Sequence, residues 1–299
     1  MTNGLKPGVH CIAATPFLPD ESLDLASVGT LMGYLVSGGC RGALVLGVLG
    51  EADRLSDYER DRVLSAALET GGDDMQISVG ITHSSTKVTK ERADSAQKAG
   101  VAAVMVSPPP GSAAGPALKE HFKRIAADLT IPLIVQDHPT SSGVKMTVEF
   151  IAGLYEFLPP GSVCKLEDPP TPIKMNKLRE IEPGYQIFGG LGGVSLLHEL
   201  DAGSAGAMTG FAAVEALVEI VSAYQTGDRE RASGAYDRAL PLMVFEAQPG
   251  AGVALRKEIL RRRGAISHGT VRQPAPTPDT FALSLLDDLM ESLAAGVTS

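Results

Sequence analysis

Short apolar runs alternate with longer amphipathic stretches along most of the chain. The apolar runs are four to seven residues long and rich in Val, Ile, Leu and Ala, which is typical of buried strands. The stretches between them carry apolar residues at helical spacing, and Ser56 followed by Glu59 is a capping box that predicts a helix start. The pattern predicts eight strand-then-helix units, with strands at residues 9–14, 43–46, 76–81, 103–106, 133–136, 162–168, 185–188 and 205–209.

Eight such units in succession favour a (β/α)8 TIM barrel, an α/β fold whose parallel strands close into a ring. An open, doubly wound sheet is the competing arrangement, but no predicted strand is followed by G-x-G-x-x-G, and the glycines at 189–193 have the wrong spacing. Further helical segments follow the eighth unit. We therefore predict a catalytic barrel over residues 1–225 and a small C-terminal helical extension over residues 226–299.

Composition and charge argue against several classes of binding partner and location for this protein. The formal net charge of −9 argues against nucleic acid or an anionic membrane surface, and no apolar run approaches the roughly 20 residues that span a bilayer. The N-terminus lacks a charged start followed by an apolar core, so no secretory signal is expected. Three cysteines without metal-like spacing or a disulfide framework favour a cytoplasmic protein with reduced thiols. The six histidines are scattered, and we expect neither a metal site nor a cofactor.

A lysine in the sixth predicted strand is the main candidate for chemistry. Lys165 lies in a short apolar segment bounded by prolines, where burying an ammonium is costly. A desolvated lysine loses its proton more easily, and its free amine attacks carbonyl groups. Because strand side chains alternate, Lys165 and Glu167 point to the same face. The pair predicts a nucleophile beside an acid/base group; an edge strand with a solvated Lys/Glu pair is the alternative.

Other candidates lie where the remaining strands end, which is where barrel enzymes place their active sites. Gln136 and His138 close the fifth strand, two residues apart and therefore on one face. Their placement with Lys165 around one mouth predicts catalytic roles for both. The candidate substrate-binding residues at the other strand ends are Gly47, Val48, Leu49, Gly50, Ser107, Gly189, Gly190 and Thr209.

With these residues, essentially the whole chain resembles the dihydrodipicolinate synthase / N-acetylneuraminate lyase family of class I aldolases. The resemblance rests on the segments 14–17 and 47–51, on the strand-six lysine and on the C-terminal helices. It implies that Lys165 forms a Schiff base with a small 2-oxo acid, usually pyruvate, and that the 47–51 loop binds the carboxylate. The family's loop hydroxyls are missing, which leaves the N–H groups of Val48 and Leu49. The resemblance also implies a homo-oligomer, either a tetramer or a dimer.

The chain departs from the family at its tyrosines. Strand five ends in Gln-Asp-His-Pro over residues 136–139 instead of Tyr-Asn-x-Pro, and Pro109 and Pro110 replace a tyrosine pair. Ser141 stands where the synthase has the arginine for a second carboxylate, which argues against dihydrodipicolinate synthase activity itself. The 2-keto-3-deoxyarabonate dehydratases look similar at these places, in Gln-Asp-x-Pro, in Lys-x-Glu and in a Leu-Pro-Leu-x-x-x-Glu segment that ends at Glu246. In that branch the Lys-x-Glu glutamate is thought to take over the tyrosine's acid/base work.

The resulting hypothesis is a lyase that dehydrates a 2-keto-3-deoxy sugar acid. Lys165 forms the Schiff base, Glu167 removes a C3 proton, and Glu167 or His138 protonates the departing C4 hydroxyl. Two alternatives stay open: a pyruvate-dependent aldolase in which His138 replaces the tyrosine, and a barrel that binds a 2-oxo acid without turnover. Glu246 either faces the active site or caps the packing of the C-terminal helices.

Overall fold

The computed structural model describes residues 4–295 and contains the predicted closed barrel of eight parallel strands. The strands follow one another around the ring in sequence order, and the last strand pairs with the first. The strands are β1 Gly8–Ile12, β2 Gly42–Val45, β3 Gln76–Gly80, β4 Ala103–Val106, β5 Leu133–Asp137, β6 Val163–Leu166, β7 Gln186–Gly189 and β8 Gly206–Thr209. Residues 1–3 of the predicted barrel unit, 1–225, and residues 296–299 of the predicted extension, 226–299, lie outside the described residues.

Helices cover the outside of the barrel and form the C-terminal part of the chain. Among the described residues, no helix is long and apolar enough to cross a membrane. The helices are α1 Leu25–Ser37, α2 Asp57–Gly71, α3 Thr86–Ala99, α4 Pro116–Ala126, α5 Pro139–Ser142, α6 Val148–Tyr155, α7 Thr171–Ile181, α8 Leu196–Asp201, α9 Val214–Gln225, α10 Arg229–Glu246, α11 Gly252–Arg262 and α12 Thr280–Ala295. Only the single-turn helix α5 was not predicted, because one turn is too short to show an amphipathic pattern.

Local sequence explains where several helices begin. The predicted capping box at α2 is confirmed: Ser56 Oγ accepts from the Glu59 N–H at 3.3 Å, and the Glu59 carboxylate accepts from the Ser56 N–H at 2.9 Å. Asp24 accepts from the Ser27 N–H at 3.0 Å and starts α1 in the same way. Each cap satisfies an N–H that the first turn leaves free and typically contributes about 1 kcal/mol.

Strand residues divide between two apolar layers. The inner layer fills the barrel, whereas the outer layer packs between the strands and the helices and includes the buried, unpaired thiols of Cys11, Cys40 and Cys164. In β6, Val163 belongs to the inner layer, and Cys164 and Leu166 belong to the outer one. Lys165 therefore faces the barrel interior, as the alternation predicts. The inner layer contains Leu5, Ile12, Leu44, Ala103, Met105, Ile134, Val163, Phe188 and Met208.

A buried carboxyl group lies on the outer side of β7. Glu199 of α8 accepts a hydrogen bond from Thr171 Oγ1 at 2.5 Å, and its other oxygen has no partner within residues 4–295. Gly189 makes room for this group, because a Cβ at that position would lie 1.7 Å from Glu199 Oε2. Burial raises the pKa of Glu199 to about 7, against the opposing effect of the Thr171 hydrogen bond. The folded protein thus keeps this carboxyl protonated in mildly acidic solution.

Replacing Glu199 with glutamine is expected to flatten the pH dependence of the free energy of unfolding. The unfolded chain releases this proton near the ordinary glutamate pKa, while the folded protein holds it to about 7. Stability is therefore present at low pH and is lost as the pH rises between those values, by about 3 kcal/mol for a shift of this size. Urea unfolding at about pH 4 and about pH 8 measures the loss. The exposed Glu230→Gln is the control, and an undiminished difference in Glu199→Gln would contradict the assignment.

Candidate active site

Lys165 and Glu167 meet on the inner wall of the barrel at the C-terminal end of β6. Lys165 Nζ lies 3.1 Å from Glu167 Oε2, and the two side chains are only 4% and 7% exposed. Gln136 is the neighbour of Lys165 in the register of β5 and β6, and its Nε2 donates to the same Oε2 at 2.8 Å. The Leu191 N–H donates to Oε1 at 3.4 Å. Donors from three strand ends therefore hold one carboxylate beside one amine.

The surroundings of Glu167 favour its ionised form. Burial by itself raises the pKa of this carboxyl group, but the charges of Lys165 and His138 and the Gln136 hydrogen bond together bring the pKa below its ordinary value. At neutral pH, Glu167 is therefore a carboxylate in an ion pair with Lys165. A buried pair of this kind contributes little net stability. Its chemical value is that the carboxylate can accept the proton that the amine must lose before it attacks a carbonyl group.

Gly190 gives the Glu167 carboxylate its space. A Cβ on Gly190 would lie 2.4 Å from Glu167 Oε1. Gly190 follows Phe188 of the inner layer by two residues, so the missing side chain is one that would have pointed into the barrel mouth. The glycine at this predicted binding position therefore contributes by its lack of a side chain.

Gly190→Ala is expected to lower turnover by about 10²-fold, because displacing a catalytic group by about 1 Å has an effect of that order. The added methyl group forces the Glu167 side chain out of the position in which it contacts Lys165. Steady-state kinetics with a turned-over substrate gives kcat, and thermal unfolding shows that the barrel persists. Gly33→Ala on α1 is the matched control, since a Cβ there meets no atom within 4 Å. Unchanged kcat in Gly190→Ala would show that the position of Glu167 is unimportant.

His138 lies just beyond β5 and starts the short helix α5. Its Nδ1 is 2.8 Å from Ser141 Oγ, which fixes the orientation of the ring. Burial lowers the pKa of His138, with Glu167 opposing the change and Lys165 adding to it. The imidazole is therefore neutral at neutral pH. It lies close enough to influence Glu167, and its catalytic role stays a prediction.

The turn after β2 presents backbone donors at the barrel mouth. Gly47 leads into a single 3-10 turn, Val48–Gly50, in which the N–H groups of Val48 and Leu49 have no acceptor within the described part of the chain. Thr15 Oγ1 donates to the Gly50 carbonyl at 2.7 Å and fixes the turn against the end of β1. Successive free N–H groups form a concavity that suits a carboxylate.

The same turn is anchored to the C-terminal part of the chain through Glu51. Lys257 Nζ donates to one Glu51 oxygen, while Arg54 Nη1 and the Arg272 N–H donate to the other, each at 3.0 Å. The Lys257 and Glu51 side chains are 0% and 2% exposed. Burial lowers the pKa of Lys257 to about 8 despite the opposing charge of Glu51. No local pattern indicates this contact, since its partners are 206 residues apart in the chain.

A cavity of about 660 Å³ opens at the ends of β2 to β5. Of the residues predicted to bind or act on substrate, Gly47, Val48, Ser107 and Gln136 line it. Ser107 Oγ is buried without a hydrogen-bond partner in the described structure, so it is available to a hydroxyl group of a ligand. Further polar lining comes from Thr82, His83, Ser84, Ser141 and Ser142.

Two predicted binding positions do not direct side chains into the barrel. Thr209 lies on the same strand face as Ala207 of the outer layer, and its Oγ1 accepts from the Gly192 N–H at 2.8 Å. Gly189 faces Glu199 behind the sheet. The prediction that Thr209 and Gly189 bind substrate is therefore limited to their backbone atoms, and it stays a prediction.

Sequence reasoning missed a buried ion cluster behind β5. Asp137 faces outward between Gln136 and His138, and Lys174 Nζ lies 2.6 Å from Asp137 Oδ2 and 2.9 Å from Asp168 Oδ2. Burial raises the pKa of Asp137 to about 6, against the hydrogen bond and charge of Lys174. The cluster joins β5 to the segment after β6, so it holds the two strands that carry Gln136 and Lys165. Alternation predicts the outward direction of Asp137, but nothing in the spacing indicates Lys174.

The chain is thus a closed (β/α)8 barrel protein in which a buried lysine faces a carboxylate at the mouth, a pair that can supply an amine and a base. The chain belongs to the dihydrodipicolinate synthetase family, whose profile matches residues 6–291. It is 31% identical to L-2-keto-3-deoxyarabonate dehydratase of Azospirillum brasilense, over 94% of each chain. It is 28% identical to a 4-hydroxy-tetrahydrodipicolinate synthase of Kineococcus radiotolerans, over 94% of this chain and 91% of that one.

The solved structures agree with the family assignment. A dihydrodipicolinate synthase structure from Rhodopseudomonas palustris superposes with a TM-score of 0.90 at 31% identity, covering 97% of this chain and 99% of that one. The predicted fold class and the predicted family are both confirmed. The chain is thus a member of a lyase family.

Proposed function

We propose that this chain is a Schiff-base-forming lyase that removes water from a 2-keto-3-deoxy sugar acid. The observation that carries the proposal is the contact of 3.1 Å between Lys165 Nζ and Glu167 Oε2 inside the barrel mouth. A nucleophile and a base are held together there, and Gln136, the hydrogen-bond partner of Glu167, also lines the neighbouring cavity. The substrate's carboxylate binds at the N–H groups of Val48 and Leu49, and its hydroxylated tail extends along Ser107 and Gln136.

Covalent attachment comes first. Glu167 takes a proton from Lys165, and the free amine adds to the C2 carbonyl of the substrate. One proton passes from the nitrogen to the carbonyl oxygen, and Glu167 returns the proton that it took, so the oxygen leaves as water. This leaves a protonated imine at C2 and Glu167 again as a carboxylate. The imine withdraws electrons from C3, so that a C3 proton becomes acidic.

Elimination follows on the same groups. The Glu167 carboxylate removes a C3 proton and gives an enamine, and the enamine expels the C4 hydroxyl group. Glu167 returns its proton to that hydroxyl, which departs as water. Glu167 is preferred to His138 as the donor because the lowered pKa of His138 leaves its ring without a proton to spare. Hydrolysis of the imine then frees the product and restores Lys165.

The relatives support dehydration without deciding it. The Azospirillum brasilense relative is named a dehydratase of a 2-keto-3-deoxy acid, while the Kineococcus radiotolerans relative is named a synthase. In this chain, Pro109 and Pro110 occupy the place of a family tyrosine pair, and Ser141 lines the cavity where the synthase has an arginine. These residues favour the dehydratase. A cytoplasmic location and a homo-oligomer of two or four chains belong to the same proposal.

Product analysis tests the proposal directly. We expect the protein to convert at least one member of a panel of five- and six-carbon 2-keto-3-deoxy acids to a dehydrated product, detected by a mass loss of one water without release of pyruvate. Pyruvate together with an aldehyde would instead establish the aldolase, which the synthase-named relative keeps as the second candidate. Binding of a 2-oxo acid without formation of any product would support the third possibility, a barrel that binds the acid without turnover.

A further inference from the structure

Arg256 of α11 is a buried cation without a function in the chemistry proposed above. Its side chain is 5% exposed, and its Nε donates to Glu246. Its Nη1 is buried and has no hydrogen-bond partner within residues 4–295. Leaving an N–H of a buried cation unpaired is costly, and an anion brought to it would be bound strongly.

The free nitrogen lies at the barrel mouth. Gly210 follows Met208 of the inner layer by two residues, so its missing side chain would point into the barrel. A Cβ on Gly210 would lie 3.1 Å from Arg256 Nη1 and 2.8 Å from Leu49 Cδ1. The guanidinium and the Leu49 side chain therefore approach one point, and the turn after β2 borders it. Gly210 thus leaves room for three neighbours, which are the Ile12 carbonyl oxygen, the Leu49 side chain and, least closely, Arg256 Nη1.

Glu246 holds the guanidinium in this direction. One Glu246 oxygen accepts from Arg256 Nε, and the other accepts from the Ala212 N–H at 3.0 Å, just beyond β8. Glu246 therefore binds the Nε edge of the guanidinium and leaves Nη1 toward the barrel. These contacts join α10 to α11 and to the residues after β8, which agrees with the second role weighed for Glu246 from sequence, capping the packing of the C-terminal helices.

We propose that Arg256 binds the carboxylate of the 2-oxo acid, together with the N–H groups of Val48 and Leu49. This inference rests on the proposed function, because it needs a 2-oxo acid at the barrel mouth. The loop lacks hydroxyl donors, and the lysine at the mouth, Lys165, is already paired with Glu167. Leu49 is half-buried, and its side chain lies close to Nη1, so the proposal requires this side chain to turn aside when the acid binds.

Calorimetric titration with pyruvate and with methyl pyruvate, which lacks the charged carboxylate, separates this role from a structural one. The variant is Arg256→Met combined with Glu246→Gln, so that no unpaired charge stays buried. We expect its pyruvate Kd to rise about 10- to 100-fold, the effect of losing a hydrogen bond to a charged group. Its Kd for methyl pyruvate should match that of the unaltered protein. Arg261→Met, an exposed change on the same helix, should leave both constants unchanged.

The outcomes distinguish the two proposals. A pyruvate Kd that is unchanged in the double variant overturns the role of Arg256, and so does equal weakening of both ligands, since that indicates general damage. Borohydride added to the unaltered protein with pyruvate tests the Schiff base separately. Arg256-dependent binding without a Lys165 adduct supports Arg256 and overturns the proposed chemistry. Absence of pyruvate binding in the unaltered protein overturns both.

Discussion

Lys165→Arg is expected to abolish turnover, with kcat reduced by at least about 10⁴-fold, as for the loss of other covalent nucleophiles. Arginine keeps a positive charge beside Glu167, so the buried carboxylate is not left unpaired. Its guanidinium stays protonated in proteins and cannot add to a carbonyl group. Steady-state kinetics gives kcat, and mass spectrometry after borohydride treatment with a 2-oxo acid shows whether an adduct forms.

The expected adduct lies on Lys165 in the unaltered protein and is absent in the variant. Lys177→Arg is the control, because Lys177 lies exposed on α7 and outside the barrel mouth. Thermal unfolding of Lys165→Arg separates loss of chemistry from loss of fold. Turnover within tenfold of the unaltered protein, or an adduct on another lysine, would remove the basis for the Schiff-base proposal.

Glu167→Gln is expected to lower kcat by about 10²–10⁴-fold, the usual contribution of a general acid or base. Glutamine has the same shape and still fits beside Gly190, but it neither accepts nor returns the C3 proton. Adduct formation should persist, because the variant removes the negative charge beside Lys165 and solvent can replace Glu167 as the acceptor of the amine's proton. Borohydride trapping and kcat, measured on the same preparation, test the two halves of this expectation.

His138→Asn is the companion variant. If Glu167 carries out both proton transfers, His138→Asn should lower kcat by less than about tenfold, well under the usual effect of a lost general acid. The opposite result, with a large loss in His138→Asn and full turnover in Glu167→Gln, would assign the acid/base role to the histidine. Equal and large losses of kcat in both variants would indicate that Glu167 and His138 each carry out one of the two proton transfers.

The barrel was predictable because its signals are local and repeat along the chain. Each strand is a short apolar run, and each helix has apolar residues at helical spacing. Ser56 and Glu59 indicate the start of α2. Alternation within one strand was sufficient to place Lys165 and Glu167 on the same face, and the structure puts them 3.1 Å apart. Gln136 and His138 follow from the same argument on β5.

Contacts between elements that are far apart in the sequence could not be predicted from these local signals. Asp137 pairs with Lys174 from a different unit, and Glu246 pairs with Arg256 across the loop between α10 and α11. Such pairs depend on how elements are oriented in three dimensions, which hydrophobic spacing does not record. The role of Gly190 could not be predicted for the same reason. The Glu167 carboxylate occupies the space that a side chain at Gly190 would fill.

The anchoring of Glu51 has a consequence for synthesis of the protein in the cell. Its partners Lys257 and Arg272 follow it by 206 and 221 residues. During translation, which adds about 5–20 residues per second, the turn after β2 leaves the ribosome many seconds before those partners. The nascent chain therefore carries Glu51 with only its local partner Arg54 until α11 and the segment that contains Arg272 emerge. The turn after β2 therefore reaches its final anchoring late in synthesis, long after most strands have been made.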